Sequence, residues 1–269
     1  MSSPRIEAIY GLHAVRALLT RHPLRVVRVL LQRGRQDERA LQIERLAQAA
    51  GRPVERIEGE RLTARLGNVV HQGIAAEVQA LAPWDEEQLI SALTGAHEPL
   101  LLALDGVQDP HNLGACLRSA DACGALAVVV PRDRAAPLNA TARKVASGAA
   151  ESTPVAVVTN LARTLRLLKE AGLWIVGAEA GAPQRAQDID LTGARVLVLG
   201  AEGTGLRTLT RRHCDWLVRL PGLGAVESLN VSVAAGMLLY EALRQRESGA
   251  RPGASAPQPP GTASVPDIA

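Results

Sequence analysis

Three segments hold the polar residues best placed for chemistry. Asp105-Gly-Val-Gln-Asp-Pro-His-Asn-Leu-Gly-Ala-Cys-Leu-Arg118 carries Asn112 and Arg118, and Leu199-Gly-Ala-Glu-Gly203 carries Glu202. The third, from Leu220-Pro to Glu227-Ser-Leu-Asn230, carries Ser228 and Asn230. Each follows a leucine-rich or β-branched run, so each is expected at the carboxyl end of a strand, where open α/β sheets bind ligands. The glycines among them let backbone approach a ligand closely. An amide both donates and accepts, a carboxylate accepts, and a guanidinium donates without giving up its proton. None of the segments holds the GxGxxG pattern of a dinucleotide fold or the GxxxxGK[ST] pattern of a phosphate loop. Spacing alone therefore implies an α/β enzyme with a site made from three loops.

The elements that must position these loops follow from apolar periodicity. Strands are expected at Leu100–Leu104, Ala127–Val130, Val155–Val158, Leu173–Ala178, Val196–Leu199 and Leu217–Leu220. Helices fall between them, at Leu113–Cys123, Leu161–Ala171 and Val231–Arg246. Such alternation predicts a mainly parallel sheet covered on both faces. Upstream, a small α/β module is expected: helices at Leu12–Leu19, Glu38–Ala50 and near Leu62–Leu66, and strands at Val26–Leu31, Pro53–Ile57 and Ile74–Val78. The division is thus 1–77 for the first module, 78–96 for a linker and 97–246 for the second. The Pro-, Gly-, Ala- and Ser-rich residues 247–269 read as a disordered tail.

Ordinary structural roles compete at several of these positions. Asn112 could cap the helix that follows it, and Ser228 is a natural N-cap for the apolar helix from Val231. Glu202 could be an acid favoured at a helix start. If a helix begins near Leu113, Gly114 and Arg118 share a face, and Gly114 lets something approach while Arg118 reaches over it. Cys116, Cys123 and Cys214 are an odd number without CxxC spacing, which favours reduced thiols over disulfides or zinc. Cys116 reads as a packing residue.

Charge is uneven. Residues 1–77 hold 13 arginines, no lysine and eight acids, an excess of five, whereas 78–96 hold three acids and no base. An arginine-rich first module suggests a polyanionic partner. With no Phe, two Tyr and three Trp, the chain lacks the aromatic platforms on which single-strand binders stack bases. RNA, if bound, must be held through arginines, backbone and shape. No apolar run is long enough for a membrane helix, and no signal-peptide stretch opens the sequence.

The order N-x-G-x-x-x-R, G-A-E-G and P-x-x-G-x-x-E-S-L-N resembles the three signature motifs of the SpoU group of RNA ribose methyltransferases, over roughly Pro99 to Arg246. Ala8-Ile-Tyr-Gly-Leu-His-Ala-Val15 and His71-Gln-Gly-Ile74 are similar to the small amino-terminal domain of the bacterial members that methylate a guanosine of 23S ribosomal RNA. The resemblance implies a SPOUT-class methyltransferase domain, in which the segment from Val196 to Tyr240 threads a trefoil knot. It also implies a small L30e-like α/β substrate-binding domain, S-adenosylmethionine as cofactor, no metal, and a cytoplasmic homodimer acting on 23S RNA or an assembly intermediate. It assigns Arg118 to activation of the ribose hydroxyl, and places Asn112, Glu202, Ser228 and Asn230 at the reacting centre. Leu199, Gly200, Leu220 and Leu229 are placed against the cofactor. Where 23S-type members often have methionine after the proline, this chain has Gly222 and then Leu223. Two alternatives stay open: a tRNA ribose methyltransferase of the same family, and a catalytically silent RNA-binding or ribosome-assembly protein.

Overall fold

The computed structural model describes residues 6–67, 69–79, 82–222 and 228–249. They build two sheets. The smaller is ordered β1-β4-β2-β3, from β1 (Ile6–Tyr10), β2 (Val26–Gln32), β3 (Val54–Ile57) and β4 (Ile74–Gln79). Its central strand β4 pairs antiparallel with β1 and β2, while β2 and β3 run parallel. Helices α1 (Leu12–Arg21) and α2 (Glu38–Ala49) cover one face, where Val15, Leu18, Ile43 and Val29 pack together. Helix α3 (Gly59–Leu66) covers the other face through Leu62 against Leu30 and Ala75. The period-2 alternation of β2 sends Val29 and Leu31 to one side and Leu30 to the other.

The larger sheet has seven strands in the order β7-β6-β5-β10-β8-β11-β9, all pairings parallel. In chain order its elements are α4 (Glu86–Ser91), β5 (Leu100–Asp105), α5 (Pro110–Ala122), β6 (Ala127–Pro131) and α6 (Ala140–Ala146). Then follow β7 (Val155–Val158), α7 (Leu161–Glu170), β8 (Trp174–Ala178) and the two-residue β9 (Gln184–Arg185). The last are β10 (Arg195–Gly200), α8 (Thr208–His213), β11 (Trp216–Arg219) and α9 (Val231–Ser248). Leu100, Leu102 and Leu104 pack under α5, α6 and α9, whereas Leu101 and Ala103 pack under α4 and α7. Burial on both faces is why these strands are continuous apolar runs. None of the helices among the described residues is long and apolar enough to cross a membrane.

Adjacent strands β5 and β10 end in register, Asp105 opposite Gly200. Beyond β5 the chain turns onto the face that carries α5, and beyond β10 it turns to Leu206 and α8 on the opposite face. That divergence marks a topological switch point, the position at which such sheets bind ligands.

The acid-rich stretch read as a linker is in part helix-start chemistry. Asp85 caps α4 in a reciprocal box with Gln88, Leu89 is fully buried, and Trp84 pairs with β7 through Val155 and Val157. Helix α9 extends to Ser248, and the rest of the expected tail, residues 250–269, lies outside the described residues.

The two sheets are joined by charge. Glu151, in the turn after α6, is 4% exposed and accepts from Arg25 at 2.8 Å and from Arg143 at 2.5 Å. Arg143 also lies 3.1 Å from Glu7 on β1, and Arg21 bonds Asp121 at 3.0 Å. A Cβ on Gly148 would lie 2.8 Å from that of Ala17, so α1 sits hard against this turn. Removing one member of a buried pair strands the other charges. Glu151→Ala is therefore expected to lower stability by about 3 kcal/mol, read as a lower denaturant midpoint. An unchanged midpoint would show that the junction is solvated and contributes nothing.

Candidate active site

Asp105 ends β5 fully buried, and sequence reasoning gave it no role. It accepts from the Arg207 backbone N–H at 2.9 Å and pairs with the Arg207 guanidinium. This ties the loop after β10 to the end of β5. The only signal for it was a carboxylate closing an apolar run, and its partner lies 102 residues away.

The same loop is also folded tightly on itself. Gly205 N–H donates to Ala201 at 2.9 Å, and the two residues form an isolated bridge. A Cβ on Gly200 would overlap the backbone of Gly205 and Leu206. Gly200 is thus required by the loop's own return, whatever ligand lies beyond it. The second motif glycine has a similar explanation. A Cβ on Gly114 would overlap the Ala142 carbonyl and Val145, so what approaches Gly114 is helix α6.

Helix α5 starts three residues earlier than expected, with Pro110 in its first turn and Asp109 as cap, accepting from His111 N–H at 2.9 Å. Proline needs no donor there and its φ suits the first turn. Asn112 is therefore not the cap, and its amide is free to reach across. The cap of α9 is Asn230, which accepts from the Ser232 N–H at 2.9 Å. Ser228, read as that cap, is exposed and makes no hydrogen bond among the described residues.

The three motifs meet at Glu202. Its Oε1 accepts from Asn230 Nδ2 at 2.6 Å, from Asn112 Nδ2 at 3.3 Å and from the Val231 N–H at 3.3 Å. Asn230 Nδ2 also donates to Asn112 Oδ1 at 3.0 Å. Glu202 thus sits at a helix start, but that of α9, 29 residues downstream, where a carboxylate meets orphan N–H groups and the positive end of the dipole. With that oxygen engaged by three donors, Glu202 acts as a clamp that fixes three loops against one another.

Arg118 does not join the triangle. It lies six residues beyond Asn112, about 9 Å along the helix, is exposed, and makes no hydrogen bond or ion pair among the described residues. This cation is therefore free of partners among the described residues while Asn112, Glu202 and Asn230 are locked. Cys116, two residues before Arg118, is fully buried, and burial pushes its thiol up to about 12, so it packs as a neutral side chain.

Of the residues placed against a cofactor, Leu199 is buried in the core and could offer only backbone. Leu220 is half-buried and Leu229 is exposed. These two offer apolar side chains, and the 200–206 loop with Pro221 and Gly222 offers polar backbone groups, a mixture that suits a nucleoside-like ligand. Leu223, Gly224 and Glu227 of the third motif lie outside the described residues.

Comparison with known proteins follows the same division. Residues 99–240 match the SpoU rRNA Methylase family, and residues 8–84 match the family described as RNA 2'-O ribose methyltransferase substrate binding. The 23S rRNA (guanosine-2'-O-)-methyltransferase RlmB of Pseudomonas aeruginosa is 54% identical over 243 residues, covering 89% of this chain and 97% of that protein. The SpoU methyltransferase AviRb of Streptomyces viridochromogenes, solved in complex with the cofactor AdoMet, superposes with a TM-score of 0.74 at 24% identity, over 91% of this chain and 92% of that one. The AdoMet-bound rRNA methyltransferase of Sinorhizobium meliloti gives a TM-score of 0.70 at 25% identity, over 90% and 88%.

Proposed function

The chain belongs to the SpoU rRNA methylase family, and from that premise we propose that it transfers a methyl group from S-adenosylmethionine to the ribose 2′-hydroxyl of a guanosine in 23S ribosomal RNA, the one in the P-site loop. The observation that carries this reading is the Asn112–Glu202–Asn230 triangle, which joins all three motifs at the sheet's switch point. The relative from P. aeruginosa, a 23S rRNA guanosine-2'-O-methyltransferase, supports the substrate.

The cofactor supplies an electrophilic methyl group. The protein's share is to align the hydroxyl and ease the loss of its proton. Glu202 holds the loops, Leu220 and Leu229 with nearby backbone cradle the adenosine, and Arg118 faces the ribose. Asn112, Ser228 and Asn230 line the reacting centre. Residues 1–77 bind RNA, 78–96 connect, and 97–246 methylate. Membership of the SpoU family supports a knotted path over Val196–Tyr240.

The chain works as a cytoplasmic homodimer. Val233, Met237 and Tyr240 form an exposed apolar stripe at helical spacing on α9, the face a second copy would cover. Arg118 then reaches the site of the partner subunit.

Methyl transfer by the purified chain to 23S RNA fragments and to tRNA, with the modified ribose mapped, is the test. Methylation of one 23S guanosine alone is expected. Transfer to tRNA alone would replace the substrate, and transfer to neither would leave a silent RNA-binding protein.

A further inference from the structure

Twelve arginines lie within residues 6–79, and eight of them donate to a carboxylate or a carbonyl oxygen of the protein. Such arginines are committed to the fold. Four are without a partner among the described residues: Arg16, Arg39, Arg45 and Arg61. Three of the four line one place. Arg16 of α1 and Arg39 and Arg45 of α2 open onto a groove of about 450 Å³ between these helices, together with His13, Gln42 and Glu38. Arg61 stands on α3, which covers the opposite face of the small sheet.

We propose that the groove between α1 and α2 is where this chain grips the ribose–phosphate backbone of its RNA. The inference rests on the reading of the chain as an RNA methyltransferase and names the surface that reading leaves unassigned. Three exposed guanidiniums with no acid tied to them suit phosphate oxygens, which match the planar fork. Glu38 and Gln42 add acceptors that a ribose 2′-hydroxyl can fill. No Phe, Tyr or Trp lines the groove and His13 is its one ring, so grip on the backbone outweighs base stacking there. Helix α1 also packs against the methyltransferase module at Gly148, so the groove runs beside the junction of the two sheets. RNA held there is held next to the catalytic half.

The full chain carrying Arg16→Gln, Arg39→Gln and Arg45→Gln together tests this, with a 23S RNA fragment as probe and affinity measured across a potassium chloride series. Each lost phosphate contact removes about 0.7 to 0.9 from the slope of log affinity against log salt. The triple variant should lose about two to three from that slope, and bind at least tenfold more weakly at low salt. Its KM for RNA should rise with kcat at saturation kept, and its melting temperature and cofactor affinity should match the unmodified chain. Arg61→Gln should change none of these. A triple variant with the original slope and affinity overturns the proposal, as does an Arg61→Gln variant that loses as much. Failure of the methylation reading shows separately: the unmodified chain would then bind RNA with a groove-dependent slope and transfer no methyl group.

Discussion

Gly200→Ala should abolish cofactor binding, and Gly200→Val should do so with a larger loss of stability. Even the first added carbon overlaps the Gly205 and Leu206 backbone, and backbone cannot rotate away as a side-chain tip can. The loop must open, breaking the Gly205–Ala201 hydrogen bond and straining the Arg207–Asp105 pair that fixes its far end. Forced overpacking of this kind costs typically 1–3 kcal/mol. The affinity loss is larger in effect, because in the site proposed the cofactor's cradle is made from the loop's own backbone. Calorimetry with S-adenosylmethionine should show no measurable heat of binding for either variant, with far-UV circular dichroism little changed. Binding at the original affinity would mean that the loop after β10 takes no part in holding the cofactor.

Why this glycine matters was only half legible in the sequence. Its position after an apolar run places it at a strand's end, but the atoms that demand it belong to a turn closing five residues later. The large sheet was legible because strands buried on both faces must be apolar throughout, as in Leu100–Asp105 and Arg195–Gly200. Elements without such a run left less trace. The two residues of β9 are too few for any period, and α8, Thr-Leu-Thr-Arg-Arg-His, has no apolar stripe. At the site, motif resemblance named Asn112, Glu202 and Asn230, which the fold brings into contact. Ser228 and Asn230 are both good caps two residues apart, and only the start of α9 at Val231 decides between them. The Arg25–Glu151–Arg143 junction was beyond reach because 126 residues separate Arg25 from Glu151. The groove arginines of the first module could be counted but not told from their paired neighbours.

Arg118→Ala should lose nearly all methyl transfer, while Arg118→Lys keeps a measurable part, and neither should change cofactor affinity much. A guanidinium keeps its proton in proteins. A role as base would require removing that proton first, with no gain over water. In the role proposed, Arg118 acts as a cation that lowers the cost of forming the ribose alkoxide and anchors the neighbouring phosphate, and the proton leaves to that phosphate or to water. Freedom from any partner among the described residues fits this role: no carboxylate competes for the fork, and the charge faces solvent until RNA arrives. Placed donors of this kind are worth about 10²–10³ in rate, the loss expected for alanine in single-turnover transfer. Lysine restores the charge without the planar fork, so about a tenth of the rate should survive. Across a pH series the lysine variant should stay above the alanine variant wherever its ammonium is protonated. A lysine variant as inactive as alanine at every pH, with RNA still bound, would show that the reaction needs the guanidinium's geometry and not its charge.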